Sequence, residues 1–382
     1  MNRCHSHDKL LFTPGPLTTS STVKQAMLQD LGSRDTGFIQ CVQDIRDGLL
    51  KVAGTSQAQG YECVIIQGSG TFAVESVISS ALPPEGKLLI LINGAYGARI
   101  AQISSILGIS YCLLESAENV LPDLEILRAT LTENTDISHV AAVHCETTTG
   151  LLNPVAEIGR IVKEAGRTFI VDAMSSFGGI PIDMNEFPAD FLISSANKCI
   201  EGVPGFAFVL ARHEALQKAR YARSLSLDLY AQWRGLEENG QFRFTPPTHA
   251  LLAFLQALSE LQDEGGMPAR HQRYEANHFE LIAGMTALGF SCYLPTHLRS
   301  PIITSFRYPD HTCFDFTAFY NRLNELGHVI YPGKVSSADC FRIGTIGRIF
   351  VADVLALIAA IKQAGCDCGF MGDDGIIIQE VN

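Results

Sequence analysis

Short apolar segments alternate with helical segments between residues 61 and 210, and this alternation constrains the fold more than any other feature. The predicted strands are Cys63–Gln67, Leu88–Ile92, Ser110–Leu114, His139–His144, Thr168–Asp172, Phe191–Ser195 and Phe206–Leu210. The predicted helices between them are Thr71–Leu82, Arg99–Gly108 and Pro154–Gly166. Apolar strands that alternate with helices predict an α/β fold, with a mostly parallel sheet covered by helices on both faces.

The second part of the chain predicts a smaller α+β domain. A helix that begins near Thr248 is broken at Gly265 and Gly266. The elements predicted after this break are a helix at 270–288, a strand at 302–306, a helix at 315–326, strands at 329–331 and 340–343, and a helix at 351–364. We therefore divide the chain into an N-terminal segment, a large domain and a small domain, at 1–20, 21–263 and 264–382.

Several polar residues lie just past the carboxyl ends of the predicted strands. They are Gly68 to Thr71, Glu146 to Thr149, Asp172 and Lys198. Ligands of open parallel sheets bind at this edge. The pattern therefore predicts that residues far apart in sequence form one ligand site.

Lys198 and Asp172 suit the chemistry of pyridoxal phosphate (PLP). A lysine amine forms a Schiff base with this cofactor, and a carboxylate keeps its ring nitrogen protonated. Asp172 ends an apolar strand, where an unpaired charge is costly. The alternative interpretations are a helix N-cap for Asp172 and a solvated surface amine for Lys198.

The segment Gly68-Ser-Gly-Thr71 joins a strand to a helix and is a candidate phosphate site. Together with Phe72 and Ala73 it also fits a loose dinucleotide fingerprint, which would indicate a nicotinamide dehydrogenase. The following strand ends in Asn93 rather than in an acidic residue, which counts against that alternative. A plain strand–helix turn is the third interpretation.

Four more residues are candidates for ligand contacts. Tyr96 follows a strand and is able to stack on a flat ring, whereas Thr147 lies in a hydroxyl-rich turn. Arg342, flanked by apolar residues, and Arg34 are candidates for recognition of an anion. The alternatives are an ordinary half-buried tyrosine, a helix-capping turn and surface salt bridges.

Charge and cysteine content narrow the possible partners. The net charge is −12 and no Lys/Arg-rich run occurs, so neither nucleic acid nor an anionic membrane is expected as a partner. The 11 cysteines are irregularly spaced and no apolar leader precedes them, which predicts reduced thiols and a cytoplasmic protein. Two short clusters, Cys4 with His5 and His7, and Cys366 with Cys368, lack a second ligand pair, so we expect no metal site.

Eight motifs, in this order, resemble those of the class V aminotransferases, which are PLP enzymes of fold type I. They are Leu11-Phe-Thr-Pro-Gly-Pro-Leu17, Gly32-Ser-Arg-Asp35, Gln67-Gly-Ser-Gly-Thr-Phe-Ala-Val-Glu75, Asn93-Gly-Ala-Tyr-Gly97, Cys145-Glu-Thr-Thr-Thr-Gly150, Val171-Asp-Ala-Met-Ser-Ser-Phe-Gly-Gly179, Ser194-Ser-Ala-Asn-Lys-Cys-Ile-Glu-Gly-Val-Pro-Gly-Phe206 and Phe242-Arg-Phe-Thr-Pro-Pro-Thr-His249. Each is weak alone, but the ordered set is specific and spans nearly the whole chain. The tail from Cys366 to Asn382 extends past the family pattern, and its role is not assigned.

The resemblance implies a role for each candidate residue. Lys198 would carry PLP and Asp172 would pair with its ring nitrogen. The other implied cofactor contacts are Ser69, Gly70, Thr71 and Asn197 at the phosphate, Tyr96 on the ring, Thr147 at the phenolic oxygen, and Thr245 at the phosphate of a neighbouring subunit. Arg342, with Arg34 as a second candidate, would bind the anionic end of the substrate.

The resemblance also implies a homodimer and a reaction. Within the family, the motifs most resemble enzymes that act on 2-aminoethylphosphonate and pyruvate, which implies these two small molecules as substrates. The alternative amine donors are alanine and serine, with glyoxylate as acceptor. A PLP fold without catalytic activity is a further alternative, which the presence of both Lys198 and Asp172 opposes.

Overall fold

The computed structural model describes residues 8–378, so Cys4, His5 and His7 lie outside the described residues. The strands are β1 Leu10–Leu11, β2 Tyr61–Gln67, β3 Lys87–Ile92, β4 Ser110–Glu115, β5 Ile137–Val143, β6 Cys145–Glu146, β7 Leu151–Leu152, β8 Thr168–Asp172, β9 Phe191–Ser195, β10 Phe206–Arg212, β11 Ile303–Arg307, β12 His328–Val329, β13 Tyr331–Pro332 and β14 Cys340–Gly344. The helices are α1 Ser21–Gln25, α2 Thr36–Val52, α3 Gly70–Ala81, α4 Ala95–Ile106, α5 Leu124–Glu133, α6 Val155–Glu164, α7 His213–Lys218, α8 Leu229–Asn239, α9 Thr248–Asp263, α10 Gly266–Ala287, α11 Phe316–Glu325 and α12 Val351–Asp367. Short 3₁₀ helices occur at Ala26–Leu28, Gln57–Gln59 and Thr296–Leu298.

A seven-stranded sheet in the order β2-β10-β9-β8-β5-β3-β4 forms the centre of the molecule. Strands β9, β8, β5, β3 and β4 pair in parallel, and β10 is antiparallel to both of its neighbours. β2 therefore runs in the same direction as β9. The predicted α/β class with a mostly parallel sheet is confirmed, and the carboxyl ends of β2, β3, β5, β8 and β9 all lie at one edge.

Helix α6 illustrates how local sequence builds this layer. Val155, Ile158, Ile161 and Val162 share one buried face, as expected for apolar residues spaced three and four apart. Gly166, with a φ of 69°, follows the helix end, where glycine adopts the left-handed conformation at little cost. The helix buries this face against the sheet, next to β8 and β5.

The described residues form two main apolar clusters. The larger one runs from Val23 to Leu261 and surrounds the central sheet, and the second combines residues between Leu281 and Met371 with Phe12. The second cluster covers a three-stranded sheet in the order β11-β14-β13. Phe12 places the N-terminal segment against this second cluster. The division of the chain at residues 263 and 264 remains a prediction.

Several helices differ from the sequence-based expectation. Helices α2, α5, α7 and α8 were not predicted, although α2 buries Phe38, Val42, Ile45 and Leu49 at helical spacing. Their exposed faces are polar, so the apolar signal is diluted. Helix α4 begins at Ala95 rather than near Arg99, because the chain turns directly from β3 into the helix.

Candidate active site

A cavity of about 240 Å³ opens at the carboxyl edge of the central sheet. Its lining contains seven of the residues predicted from sequence: Ser69, Gly70, Thr71, Tyr96, Asp172, Asn197 and Lys198. It also contains residues to which no role was given: Val74, Arg99, Ile100, Met174 and Ser195. The parallel strands thus bring the predicted residues together, as expected for residues that follow strands with a common carboxyl edge.

Lys198 follows β9 and points toward the N-terminal segment. Its Nζ donates a 2.6 Å hydrogen bond to the carbonyl oxygen of Pro14. A Cβ on Gly15 would lie 2.7 Å from this Nζ, so only glycine permits the approach. Burial lowers the pKa of Lys198 to about 8, against opposing effects from Cys199 and Asp172. Lys198 is half-buried, and an amine with a lowered pKa is more often neutral near pH 7 than a fully solvated lysine.

Asp172 is the last residue of β8, and its side chain is buried. Its Oδ1 accepts a 2.9 Å hydrogen bond from the Met174 N–H, and no other hydrogen bond reaches the carboxylate within residues 8–378. Burial raises the pKa of Asp172 to about 6, whereas Lys198 and Arg99 lower it. The side chain is therefore mainly ionised at neutral pH, and it is able to accept a further hydrogen bond from a protonated group.

Helix α3 begins at the cavity with uncapped N–H groups. Ser69 is its N-cap residue, but its side chain makes no capping hydrogen bond. A Cβ on Gly70 would lie 2.2 Å from Sδ of Met174, so position 70 has room only for glycine unless Met174 moves. Exposed N–H groups at a helix N-terminus attract an anion such as phosphate.

Tyr96 and Arg99 lie one turn apart in α4. The Arg99 guanidinium carbon is 4.8 Å from the centre of the Tyr96 ring, which is a cation–π contact. Nη1 of Arg99 also donates a 3.4 Å hydrogen bond to Oγ1 of Thr71. Arg99 therefore joins α3 to α4 and places a cation in the cavity. Arg99 was not among the predicted site residues, since the predicted helix began at Arg99 itself, four residues later than the observed start at Ala95.

Glu146 is a second residue whose role was missed. It is fully buried, and its Oε2 accepts a 3.2 Å hydrogen bond from the Tyr96 N–H. Oε1 accepts a 2.9 Å hydrogen bond from Oγ1 of Thr148. Burial raises the pKa of Glu146 to about 7. The Glu146 side chain also packs tightly against Gly94, where a Cβ would lie 2.3 Å from Cδ of Glu146. These contacts hold the start of α4 in place.

Arg342 lies in β14 of the small sheet and is 2% exposed. Nε donates to the carbonyl oxygen of Pro332 at 3.0 Å and Nη1 to that of Thr147 at 2.8 Å. Nη2 makes no hydrogen bond, and the guanidinium no ion pair, with any residue that the structure describes. Burial lowers the pKa of Arg342. The surface-salt-bridge interpretation is wrong for this residue, since it is a buried cation without a carboxylate partner.

Arg342 and Thr147 do not line the 240 Å³ cavity, but they lie beside it. Arg342 acts electrostatically on Lys198, whose pKa it lowers, and Tyr96 acts on Arg342. Thr147 is buried and offers its carbonyl oxygen to Arg342. Whether its hydroxyl contacts a cofactor remains a prediction.

Arg34 and Thr245 lie in a different place. Both are exposed, and they line a separate cavity of about 360 Å³. Gln67, at the end of β2, donates through Nε2 to the carbonyl oxygens of Phe244 and Thr245 at 2.9 and 3.3 Å. Within one chain, the structure does not bring Arg34 or Thr245 into the cavity of Lys198.

Another cavity, of about 870 Å³, lies elsewhere, between α2 and α9. Its lining is mainly apolar and contains none of the candidate site residues. No group of three or more possible metal ligands occurs among residues 8–378. In the same range, no helix is both long and apolar enough to span a membrane.

Comparison with known proteins identifies the family. The model of the aminotransferase class-V family matches residues 21–328. This chain belongs to the class V aminotransferases. That membership decides against the nicotinamide dehydrogenase alternative. Enzymes of the class V aminotransferase family generally depend on PLP.

Individual relatives extend over almost the whole of this class V aminotransferase. It is 54% identical over 362 residues to a protein named 2-aminoethylphosphonate–pyruvate transaminase from Salmonella heidelberg, covering 94% of this chain and 98% of the relative. Among solved structures, ureidoglycine–glyoxylate aminotransferase from Bacillus subtilis has a TM-score of 0.89 at 23% identity, covering 98% of each chain. Pyridoxamine–pyruvate aminotransferase from Mesorhizobium loti has a TM-score of 0.86 at 25% identity, covering 97% of this chain and 95% of the other. The predicted fold type I architecture is confirmed by these likenesses.

Proposed function

We propose that this chain transfers the amino group of 2-aminoethylphosphonate to pyruvate, giving phosphonoacetaldehyde and alanine, with PLP bound at Lys198. The enzyme would serve phosphonate catabolism. The buried Arg342, which has no carboxylate partner among residues 8–378, carries the substrate assignment, since it provides a cation beside Lys198 for a phosphonate or carboxylate. The 54% identity to the Salmonella transaminase supports the same conclusion.

The residues around the cavity fit PLP. The uncapped first turn of α3, with Ser69, Gly70 and Thr71, would hold the phosphate, and Asn197 would support it. Asp172 is buried with a single hydrogen bond, which leaves an acceptor for a protonated ring nitrogen. Tyr96 would stack on the ring. When bound, PLP supplies an electron sink, which makes a proton on the carbon that bears the amine acidic enough to remove.

Lys198 would both hold the cofactor and move the proton. Once released from the cofactor, Nζ would be free to remove the proton from the amine-bearing carbon of the substrate and to deliver it two atoms away, at the cofactor carbon on the other side of the nitrogen. The pKa of about 8 favours this role, because a general base works best when its pKa lies near the working pH. Asp172, with a pKa of about 6, stays ionised at neutral pH and keeps its partner protonated.

Arg342 would bind the anionic end of the substrate. Two of its nitrogens are fixed by the carbonyl oxygens of Pro332 and Thr147, which orients the remaining Nη2. A rigid guanidinium recognises a phosphonate or a carboxylate through directed hydrogen bonds. The same group would thus serve both 2-aminoethylphosphonate and pyruvate in the two halves of the reaction.

The chain would act as a cytoplasmic homodimer. Thr245 and Arg34 are exposed and line the 360 Å³ cavity rather than the cavity of Lys198. If they contact PLP or substrate, they would do so at the Lys198 cavity of a second subunit. Phe244, beside Thr245, exposes 44% of its surface. The ten cysteines of the described part carry free thiols, which is typical of a reducing compartment. Analytical ultracentrifugation would contradict the dimer by finding a monomer at micromolar concentration.

The half-reaction tests the proposed function directly. 2-Aminoethylphosphonate is added, without a keto acid, to protein loaded with PLP, and the visible absorption band of the protein is followed. We expect the band to disappear with this amine and to return on addition of pyruvate. A response to alanine or serine with glyoxylate, and none to 2-aminoethylphosphonate, would contradict the assignment.

A Lys198→Ala variant tests the assigned anchor. It should lose the covalent attachment of PLP and turn over at least about 10³-fold more slowly, since one amine serves as both anchor and proton carrier. Full turnover of this variant would exclude the assigned role. Lys163→Ala, at a lysine that pairs with Asp190 away from the cavity, is a suitable control.

A further inference from the structure

Glu201 has an unusual backbone conformation directly behind Lys198. Its φ is 66°, and among residues 8–378 it is the only non-glycine residue with a positive φ. Its N–H donates a 2.7 Å hydrogen bond to the carbonyl oxygen of Lys198, which closes a tight turn. A left-handed conformation is costly for a residue with a Cβ, and glycine or asparagine adopts it more easily. The glutamate side chain must therefore contribute something that offsets this cost.

The Glu201 carboxylate is buried and accepts several hydrogen bonds. It is 4% exposed. Oε1 accepts from Oη of Tyr274 and from Nη2 of Arg273, both at 2.7 Å. Nη1 of Arg270 lies 3.4 Å from the same oxygen. One carboxylate oxygen thus meets three side chains of helix α10.

The two arginines are themselves buried and paired. Arg270 is 0% exposed. Its Nη1 donates to the carbonyl oxygen of Cys199 at 2.6 Å, and its Nε donates to Oε2 of Glu264 at 2.7 Å. Arg273 donates through Nε to Oε1 of Glu264, also at 2.7 Å. Two arginines and two glutamates therefore balance each other between the Lys198 turn and the start of α10.

The same network reaches the segment that follows Arg342. Nη1 of Arg273 donates to the carbonyl oxygens of Gly347 and Ile349, at 2.6 and 2.9 Å. The Gly347 N–H donates to Oη of Tyr274 at 3.4 Å. Gly347 lies three residues past the end of β14, the strand that carries Arg342. The network therefore touches both the turn that carries Lys198 and the strand end that carries Arg342.

We propose that Glu201 is a positioning residue that holds the Lys198 amine at a set place relative to the Arg342 guanidinium, through Arg273 and Tyr274. The inference rests on the proposed function only in naming Arg342 as the group that binds the substrate anion. Buried ion networks add little net stability compared with apolar packing of the same volume. The benefit of this one is orientation, since the two groups it joins must act on opposite ends of one small substrate.

A Glu201→Gln variant removes the charge but keeps the shape. Without the ionic contacts the turn loosens, and Lys198 becomes better hydrated. The pKa of Lys198 should then rise, because burial is what lowers it. Loss of a nearby negative charge would by itself lower the pKa of Lys198. A rise in this pKa would therefore indicate that the position and hydration of the amine have changed. The groups that act on Lys198 besides burial are Cys199, Asp172, Arg342 and Cys145.

Glu62→Gln is the matched control. Glu62 is also a buried carboxylate, 6% exposed, and it lies 3.7 Å from Nη2 of the buried Arg46. It lies at the start of β2, at the sheet edge opposite the cavity. This variant should lose stability as Glu201→Gln does, but should leave Lys198 unchanged.

Three measurements test the Glu201→Gln variant. In cofactor-free protein, trace labelling with acetic anhydride at a series of pH values, read by peptide mass mapping, gives the midpoint for Lys198. In PLP-loaded protein without substrate, the visible absorption band is titrated with pH. In separate assays with substrate, kcat and KM for 2-aminoethylphosphonate are measured. For Glu201→Gln we expect the labelling midpoint to rise by at least half a pH unit, and kcat/KM to fall about tenfold.

The outcomes separate the two claims. Unchanged midpoints in Glu201→Gln, with a melting temperature lowered as in Glu62→Gln, would overturn the positioning role. A shifted midpoint in a protein that ignores 2-aminoethylphosphonate would overturn the proposed substrate and leave the positioning role standing. If Glu201→Gln does not fold, Tyr274→Phe removes one hydrogen bond to the same oxygen and should raise the midpoint by a smaller amount. No rise in Tyr274→Phe would then overturn the positioning role.

Discussion

The Lys198 Nζ donates a 2.6 Å hydrogen bond to the carbonyl oxygen of Pro14, across 184 positions of sequence. The N-terminal segment thus lies over the residue at the centre of the candidate active site. Gly15 makes this approach possible, since its φ is 118° and a Cβ there would lie 2.8 Å from the Asn197 carbonyl oxygen. The segment therefore contributes to the site although it lies outside the central sheet.

Gly15→Ala should impair the site beyond its effect on stability. Both the left-handed conformation and the contact with Lys198 oppose a Cβ, so we expect weaker PLP binding and at least tenfold lower turnover. Gly60→Ala is the matched control, because Gly60 has a φ of 84° but nothing within 4 Å of its Cβ position. Equal losses of PLP affinity in both variants, measured by absorbance titration, would contradict the prediction.

Asp172→Asn should stabilise the cofactor-free protein while abolishing activity. The folded-state pKa of Asp172, about 6, lies above its ordinary 3.8. The folded state therefore binds more protons between these values, and stability falls as pH rises from 3.8 to 6. Above pH 6 the full penalty is roughly 3 kcal/mol, because the pKa of this buried carboxyl group is raised from 3.8 to about 6.

Thermal unfolding of the two cofactor-free proteins between pH 4 and pH 8 checks this. The advantage of Asp172→Asn should grow as pH rises to 6 and then stay constant. Asp310→Asn, at an exposed position, should show no such trend. An advantage that shrinks with rising pH would mean that burial does not dominate at Asp172.

Gly94→Ala should destabilise the protein by about 1–3 kcal/mol through overpacking. The φ of Gly94 is 171°, so the backbone tolerates alanine, and the cost comes from the contact with Glu146, whose side chain supplies the three nearest atoms. Combining Gly94→Ala with Glu146→Ala should therefore cost less than the sum of the single changes, by about 1 kcal/mol or more. Denaturant unfolding measures the cycle, and strict additivity would show that the two residues do not compete for space. Gly32→Ala, with open space around it, should be additive with Glu146→Ala.

Arg342→Lys should raise the KM for 2-aminoethylphosphonate about tenfold or more. Lysine keeps the charge but cannot hold the carbonyl oxygens of Pro332 and Thr147 while directing another nitrogen at the substrate. Arg307→Lys, on the neighbouring strand β11 and exposed, is the control. Steady-state kinetics with a lowered kcat and an unchanged KM would point to a structural role for Arg342 instead.

Local sequence signals predicted most of the central layer. Strands β8 and β9 were predicted with their observed bounds, because an apolar strand buried on both faces needs no partner to be recognised. Helix α3 was predicted within one residue at each end. Helices α2 and α5 were missed, since their wide polar faces weakened the periodic signal.

The candidate site was predictable to the extent that it depends on strand direction. Parallel strands share a carboxyl edge, so the positions of Ser69, Tyr96, Asp172 and Lys198 after their strands were enough to group them. The same reasoning does not apply to Arg342, which lies on an antiparallel sheet in another part of the chain. Its place beside Lys198 depends on how the two parts of the molecule pack.

Periodicity and chain direction over short spans specify many of the elements, the class of fold and the residues at one sheet edge, so these were predictable from sequence. The contacts of Pro14 with Lys198, of Glu146 with the Tyr96 N–H and of Glu201 with two arginines of α10 arise only when the chain is folded. Each of these contacts joins residues far apart in the chain. Burial at such contacts also sets the pKa values of Asp172 and Lys198, and no local pattern encodes burial of that kind.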